Sequence, residues 1–501
     1  MKKQISGFLA ATMLVGALAG CGKSTQVTVE DPNTVPEDTY EINWYMQGMP
    51  QEDVASVEAA VNEYLKDKIN ATLKITRLES QQYTKQLSTM IAAGEYFDLA
   101  WASQGVLDYT SNARNGAWYD MTDSIDVYMP KTAAEIGEDI LNNAKVDGKL
   151  YAIPTLKEMA DSRGWTYRSD IAEKYGIDMS QYTSLESDAD VEKLEEALKK
   201  VQEGEPDMRY PIDWGSDRTP ESFLKYETVA GTAVIFYDTE KYPQYEGKVV
   251  NLVETPEYMN ACKAAHKLYV DGFVKRDVDT ATDFDQRVKD GKTFCYVDFL
   301  KPGKAKESSA NYGVELDQTE AVTGIWQDNG AGTGSMQVIS KTSKNPARVM
   351  RFLELLNTDP VLNNLINYGI EGKHYDKIDE NTIKIKEGTT YTLQGYQWMT
   401  GNVFINYLTE KEDPNKVEKL KAFNEQAKKP ADYGFKFDKT PVENEIAAVR
   451  TVMSEYRKQV IMGNIDPETK MPEYNEKLKA AGIDRIVEEA QKQYDEFLKN
   501  K

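Results

Sequence analysis

An alternation of strand and helix patterns near the start of the chain constrains the fold more than any other feature. The predicted elements are, in order, strand 41–46, helix 54–65, strand 71–75, helix 81–94 and strand 97–100. Such a series folds into a parallel, doubly wound sheet flanked by helices. Ligands bind these sheets at the carboxyl ends of the strands. The loops that follow the strands therefore predict ligand contacts at Gln47, Trp101 and Gln104.

A second constraining stretch extends from Thr323 to Tyr375. Trp326 lies on a loop before glycines at 330, 332 and 334, a spacing typical of positive φ or of close backbone approach. Residues 335–340 alternate as a strand. Two helices then follow, each begun by an N-cap residue with proline at the first helical position: Asn345-Pro346 and Asp359-Pro360.

The amino-acid sequence of this stretch resembles that of the extracellular solute-binding proteins of bacterial ABC importers. SKNPARVMRFLELLNTD (343–359) is similar to the segment that returns the chain from the second lobe to the first in the family 1, sugar-binding type. NYGIEGKHY (367–375) resembles the large lipoprotein subset of Gram-positive bacteria, which has an extra C-terminal domain. The same family is resembled by EYFDLAW (95–101), NGAWYDMTD (115–123), VDGKLYAIP (146–154), GWTYRSDIAEKYG (164–176) and YQWMTGN (396–402).

The resemblance implies an α/β, two-lobed fold of the periplasmic-binding-protein type II, with a doubly wound sheet in each lobe and a helical C-terminal extension. The implied layout is signal peptide 1–20, flexible tether 21–40, lobe 1 at 41–153 and 320–375, lobe 2 at 154–319, and a C-terminal domain at 376–501 that packs on the lobes.

The N-terminus has the form of a bacterial lipoprotein signal. Lys2 and Lys3 precede an apolar run from Phe8 to Leu18, which is too short for an ordinary membrane span. The run ends in Leu-Ala-Gly before Cys21, which matches a lipobox. Cleavage and diacylation at Cys21 would anchor the protein to the extracytoplasmic face of the cell membrane.

Composition excludes several functions. The net charge of −22 argues against binding to nucleic acid and against electrostatic docking on anionic lipid. His266 and His374 lack the spacing of a metal site, and there is no nucleophile elbow or Walker A motif. We therefore expect no metal, no cofactor and no enzymatic activity. We also expect the protein to be a monomer. Cys262 and Cys295 are expected to be unpaired, buried thiols.

Ligand binding remains as the function. Thirty tyrosines and seven tryptophans offer flat apolar faces for sugar rings, although tyrosine is also common at the boundary between core and water. Trp44 and Trp118 are expected in the core. The predicted ligand contacts are Gln47, Trp101, Gln104, Tyr151, Arg163, Asp298, Trp326, Trp398 and Asn402.

The favoured interpretation is an ABC-importer receptor that binds a saccharide, most readily an oligosaccharide, in a cleft closed by hinge motion and delivers it to the permease. A surface-anchored glycan-cleaving enzyme is an alternative, because 82 carboxylates leave room for a catalytic pair. A peptide-binding receptor and a sensor that presents its ligand to a membrane kinase also remain open.

Overall fold

The computed structural model describes residues 30–215 and 218–501. Cys21 and the signal peptide lie outside this range. The first part of the chain contains β1 (Tyr40–Gln47), α1 (Val54–Ile69), β2 (Ala71–Leu78), α2 (Ser80–Ala93), β3 (Leu99–Ala102), α3 (Tyr109–Arg114), α4 (Ile125–Tyr128), α5 (Pro130–Ile136), α6 (Glu138–Ala144) and β4 (Ala152–Pro154).

The second part contains β5 (Arg163–Arg168), α7 (Ser169–Tyr175), α8 (Asp188–Gly204), β6 (Ile212–Asp213), β7 (Tyr226–Ala230), β8 (Ala233–Phe236), β9 (Val250–Asn251), α9 (Pro256–Val270), α10 (Phe284–Lys289), β10 (Cys295–Phe299), α11 (Lys304–Tyr312) and β11 (Leu316–Gln318).

The remainder contains α12 (Gly330–Thr333), β12 (Met336–Ile339), α13 (Pro346–Thr358), α14 (Pro360–Tyr368), β13 (Tyr375–Lys377), β14 (Thr382–Ile385), β15 (Leu408–Thr409), α15 (Lys416–Glu425), α16 (Glu443–Ile461), α17 (Pro467–Ala480) and α18 (Ile483–Asn500).

Two separate sheets form the centres of two lobes, which confirms the predicted α/β class. The sheet of lobe 1 has the order β2-β1-β3-β12-β4, in which β1, β2 and β3 are parallel and β12 is antiparallel to both neighbours. The sheet of lobe 2 has the order β11-β5-β10-β6, with β5 antiparallel to β10 and β11. Each sheet includes one strand that follows directly on a crossing from the other lobe: β12 in lobe 1 and β5 in lobe 2.

Three segments cross between the lobes and pair side by side. Asp161 lies in the first segment and Trp326 in the second, and the two residues exchange backbone hydrogen bonds of 2.8 and 2.9 Å. In the third, Lys428 donates to the carbonyl of Ile325 at 2.9 Å and accepts from the amide of Gln327 at 2.8 Å. We call this three-stranded unit the crossing ribbon; Trp326 lies in its middle strand.

The C-terminal region divides between the two lobes, whereas the sequence suggested one domain from 376 onward. Tyr391 and Leu393 belong to the hydrophobic core of lobe 1. Helices α16, α17 and α18 instead share one core with lobe 2, to which they contribute residues such as Val449 and Tyr474. In this contact Arg457 forms a 2.8 Å ion pair with the buried Glu221 of lobe 2. The last three helices are therefore built into lobe 2.

Several local predictions are confirmed and others are corrected. Asn345 caps α13, its side chain accepting from the amide of Arg348 at 3.0 Å, and both cysteines are buried and unpaired. The sequence of residues 311–316 also predicts a strand, and this prediction is wrong, because α11 continues to Tyr312 and ends at Gly313, whose φ is +72°. Helix α17 was not predicted, since Pro472 interrupts its sequence pattern.

The glycines before β12 serve close packing. They form a helical turn, α12, without positive φ. A Cβ on Gly332 would lie 2.9 Å from the amide nitrogen of Ala144, so only glycine lets this turn pack on α6. Of the two alternatives that the spacing suggested, close approach is the one observed.

Candidate functional site

The ends of the two sheets at which the crossings attach face each other across a cleft. In lobe 1 this end holds the carboxyl ends of β1, β2 and β3, because Ala102 at the end of β3 pairs with Met336 at the start of β12. In lobe 2 it holds the start of β5 and the end of β10, where Arg163 pairs with Phe299. The parallel strands of lobe 1 thus direct their ligand-binding ends at lobe 2.

Two tryptophans form the lobe 1 wall, in different roles. Trp101 is buried, with 3% of its surface exposed, and its indole donates to Ser335 Oγ at 3.0 Å. Trp398 packs edge-on against it at 5.5 Å and is 37% exposed. Ser335 Oγ also donates to the carbonyl of Trp398 at 2.8 Å. Trp101 therefore supports the wall, and Trp398 presents its ring to the cleft.

The lobe 2 wall is built around Phe299, which the sequence analysis missed. This side chain is 45% exposed at the end of β10. The Arg163 guanidinium lies 3.3 Å from the centre of its ring and that of Arg218 lies 5.0 Å away, so two cations contact one aromatic group. Its position at the carboxyl end of a buried strand was the signal available in the sequence.

Two carboxylates pair with these cations. Asp298 is buried and pairs with Arg218, and Lys304 Nζ lies 3.7 Å away. Asp161 accepts from Arg163 at 2.5 Å and from Lys225 at 2.6 Å. Of the two residues predicted here, Arg163 lies at the wall, whereas Asp298 acts behind it.

The structure places the other predicted contacts differently. Gln47 is half-buried at the end of β1, and its Oε1 has no hydrogen-bond partner among the described residues. Gln104 is exposed and accepts from Thr110 at 2.8 Å. Tyr151 is half-buried against the core that contains Trp101. These three residues belong to lobe 1 and stay candidates.

Asn402 and Trp326 need correction. Asn402 is fully buried; it donates to Glu135 at 3.0 Å and accepts from the amide of Phe404 at 2.9 Å, so the fold uses its amide. Trp326 lies in the crossing ribbon, and its indole donates to the carbonyl of Thr323 at 2.8 Å. Trp326 borders a cavity, but its hydrogen bonds are made within the crossing ribbon and its approach from Thr323.

Two cavities adjoin the loop that follows β10. One, of about 260 Å³, lies between the lobes and is bordered by Trp398, Tyr407 and Asn311. The other, of about 770 Å³, lies beside the crossing ribbon and is bordered by Trp326 and Tyr242. Lys301 and Pro302 border both cavities. Polar and aromatic side chains thus border both cavities, as is usual for sites that bind small molecules.

A buried acidic group lies behind the crossing ribbon. Asp432 is fully buried; its Oδ2 accepts from Asn329 at 3.2 Å, and its Oδ1 has no partner among the described residues. Burial raises the pKa of Asp432 to about 7, with the charge of Asp328 acting in the same direction. Burial also lowers the pKa of the neighbouring Lys436 to about 8. The region behind the crossing ribbon therefore contains groups that titrate near neutral pH.

Within the ranges 30–215 and 218–501, no three His, Cys, Asp or Glu side chains are placed to hold a metal ion. The two histidines have structural contacts. His374 lies 2.9 Å from Asp53 and accepts from the amide of Ile370 at 2.8 Å, and His266 contacts the carbonyl of Gly463 at 2.8 Å. No helix in the described part of the chain is both long and apolar enough to cross a bilayer.

Comparison with known proteins places the chain among transport receptors. A family model described as bacterial extracellular solute-binding protein matches residues 59–372, and one for a domain of unknown function matches 432–499. A carbohydrate ABC transporter substrate-binding protein of Streptococcus pneumoniae is 30% identical, covering 100% of this chain and 99% of the relative. The polygalacturonan/rhamnogalacturonan-binding protein YtcQ of Bacillus subtilis is 23% identical, covering 97% and 96%.

Solved structures agree with the sequence matches. The N-glycan transport solute-binding protein NgtS of S. pneumoniae is 30% identical over 92% of this chain and 99% of its own, with a TM-score of 0.79. Its complex with Man5GlcNAc covers the same shares with a TM-score of 0.70. The two-lobed type II fold with a helical C-terminal region is thereby confirmed.

The different roles of the two tryptophans predict different effects on stability. Trp101→Ala should destabilise the protein by roughly 3 kcal/mol, because it opens a cavity in a packed core. Trp398→Ala should change stability by less than about 1 kcal/mol, because much of its ring already faces water. Thermal unfolding of both variants measures the difference. Equal losses would contradict the division into supporting and presented rings.

Asp432 predicts a pH dependence of stability. The side chain of an unfolded aspartate has a pKa of about 4. Burial raises the pKa of Asp432 in the folded protein to about 7. The folded state binds more protons in this window, so stability should fall as pH rises through it. Asp432→Asn, which keeps an acceptor for Asn329, should remove on the order of 4 kcal/mol of this fall.

Thermal unfolding between pH 4 and pH 8 measures the slope for Asp432→Asn. The matched control is Asp126→Asn, at an exposed position on α4, which should follow the wild-type profile. A wild-type slope retained in Asp432→Asn would show that other groups determine the pH dependence.

Proposed function

Because the chain belongs to the family of bacterial extracellular solute-binding proteins, we propose that it captures an oligosaccharide between its lobes and delivers it to the membrane subunits of an ABC importer. The observation that carries the proposal is the pair of exposed aromatic rings on opposite cleft walls, Trp398 and Phe299. Aromatic faces pack on the apolar faces of sugar rings, and adjacent guanidinium and amide groups take the hydroxyls.

Exposed apolar surface in the cleft supports capture by closure. Met49, in the loop after β1, is 53% exposed and adds to the surface offered by Trp398 and Phe299. Leaving these groups in water costs free energy, which ligand binding and lobe closure would recover. The crossing ribbon supplies the hinge about which the lobes would close.

The relatives favour a saccharide over a peptide. The N-glycan transport solute-binding protein of S. pneumoniae and the polygalacturonan/rhamnogalacturonan-binding protein of B. subtilis are both named for carbohydrates, and both align with nearly the whole chain. Among relatives, the glycan receptor is the more similar in sequence. We therefore propose binding without hydrolysis, so that a bound saccharide is recovered intact.

The test is a binding screen on protein lacking residues 1–21. Mono-, oligosaccharide and peptide panels are added, and the thermal midpoint is recorded, since a ligand that binds the native state raises it by mass action. An oligosaccharide should raise the midpoint, and Trp398→Ala or Phe299→Ala should weaken its binding at least about tenfold. A shift with peptides alone would overturn the saccharide; released sugar products would overturn binding without hydrolysis.

Cys21 is proposed as the site of lipid anchoring. Family membership gives an extracellular receptor, and the Leu-Ala-Gly-Cys sequence with its preceding apolar run supports a diacylated first residue. Cys21→Ser should move the protein from the membrane fraction to the medium or block its processing. The control is Cys262→Ser, whose thiol is buried in lobe 2 and should not affect localisation. Membrane retention of Cys21→Ser would contradict the anchor.

A further inference from the structure

Arg77 is a buried cation without a hydrogen-bond partner at the ligand-facing end of lobe 1. It is the last residue but one of β2 and is 6% exposed. None of its three guanidinium nitrogens has a hydrogen-bond partner among the described residues. A buried guanidinium without partners costs several kcal/mol, so a position that retains one needs an explanation beyond packing.

A second buried arginine in the same lobe, Arg348, has a full set of hydrogen-bond partners, in contrast to Arg77. Arg348 is fully buried on α13, donates to both carboxylate oxygens of Glu30 at 2.7 to 3.0 Å, and reaches the backbone carbonyls of Asp38 and Asn70. The chain carries 82 carboxylates, yet no ion pair to Arg77 is present among the described residues. The described residues therefore supply Arg348 with a carboxylate and supply none to Arg77.

Neighbouring residues hold the guanidinium in place. Gly48 follows β1 with φ +137°, and a Cβ there would lie 2.9 Å from Arg77 Cζ, so the side chain occupies space that only glycine leaves open. The ring of Tyr396 lies 5.0 Å from Cζ and stabilises the charge from one face. Burial lowers the pKa of Arg77, with no carboxylate to oppose it. The site is thus built around an uncompensated positive charge.

The guanidinium lies next to the proposed binding surface. Tyr396 is half-exposed, and Trp398 stands two residues beyond it. A rotation of the Tyr396 side chain would therefore uncover the face of the guanidinium that its ring covers.

We propose that Arg77 binds the carboxylate of an acidic sugar unit in the captured oligosaccharide, with the side chain of Tyr396 moving aside as the ligand enters. This inference rests on the proposed function and narrows its substrate class. A carboxylate matches the guanidinium in both charge and geometry, through two parallel N–H···O bonds. Neutral hydroxyls would accept hydrogen bonds but would leave the buried charge uncompensated.

The first arm of the test measures stability without ligand. Arg77→Met removes a buried, unpaired charge and keeps the side-chain length, so the thermal midpoint should rise by roughly 2 °C. Arg348→Met is the matched control: it leaves Glu30 unpaired and should lower the midpoint. A structural role for Arg77 predicts that both variants lose stability, and that result would overturn the proposal.

The second arm measures binding by calorimetry and on a glycan array. Trigalacturonate with its methyl ester, and sialyllactose with its methyl ester, give pairs of the same glycan that differ in the negative charge. The wild type should prefer the charged member of a pair, and Arg77→Met should reduce that affinity about 10- to 100-fold while leaving neutral partners unchanged. Phe299→Ala should weaken both members alike.

The outcomes separate the two proposals. If the wild type holds only neutral glycans on the array, the acidic ligand is overturned and the receptor assignment stands. If it holds no saccharide at all, the proposed function fails, and the acidic ligand fails with it. Loss of neutral binding in Arg77→Met would assign the guanidinium to hydroxyl groups and would overturn the carboxylate.

Discussion

The backbone pairing of three chain segments at Trp326 is the constraint on which the rest of the structure depends. Separate linkers would let the lobes move independently, whereas hydrogen bonds from Asp161 through Trp326 to Lys428 join the crossings into one ribbon. A paired ribbon bends across its strands more readily than it stretches. It therefore keeps the two sheet ends opposed, which gives Trp398 and Phe299 a common cleft and limits lobe motion to opening and closing.

Within the cleft, the fold separates supporting groups from presenting groups. Trp101 and Asp298 are buried, and each fixes a more accessible neighbour: Trp398 in the first case and Arg218 in the second. Such second-layer contacts reduce the freedom that a ligand would otherwise have to remove on binding. Arg77 departs from this scheme, because its side chain is positioned as firmly but has no protein partner.

The sequence predicted the fold better than the site, for physical reasons. Caps and strand patterns are local, so Asn345 and the first three strands could be assigned from neighbouring residues. The burial of Trp101 depends on Ser335, 234 residues away, and the roles of Phe299 and Arg77 depend on which loops meet across the cleft. The division of the C-terminal region was equally inaccessible, because a helical pattern reveals an apolar face but not the surface that covers it.

The shared core of lobe 2 has a consequence for how the protein folds. Gln491 on α18 accepts from the amide of Val249 at 2.7 Å and donates to the carbonyl of Gly247 at 2.9 Å. Lobe 2 thus cannot complete its packing until α18 has been synthesised. Contacts of such long sequence separation form slowly. If such a chain is exported unfolded, lobe 2 stays open until α18 has crossed the membrane.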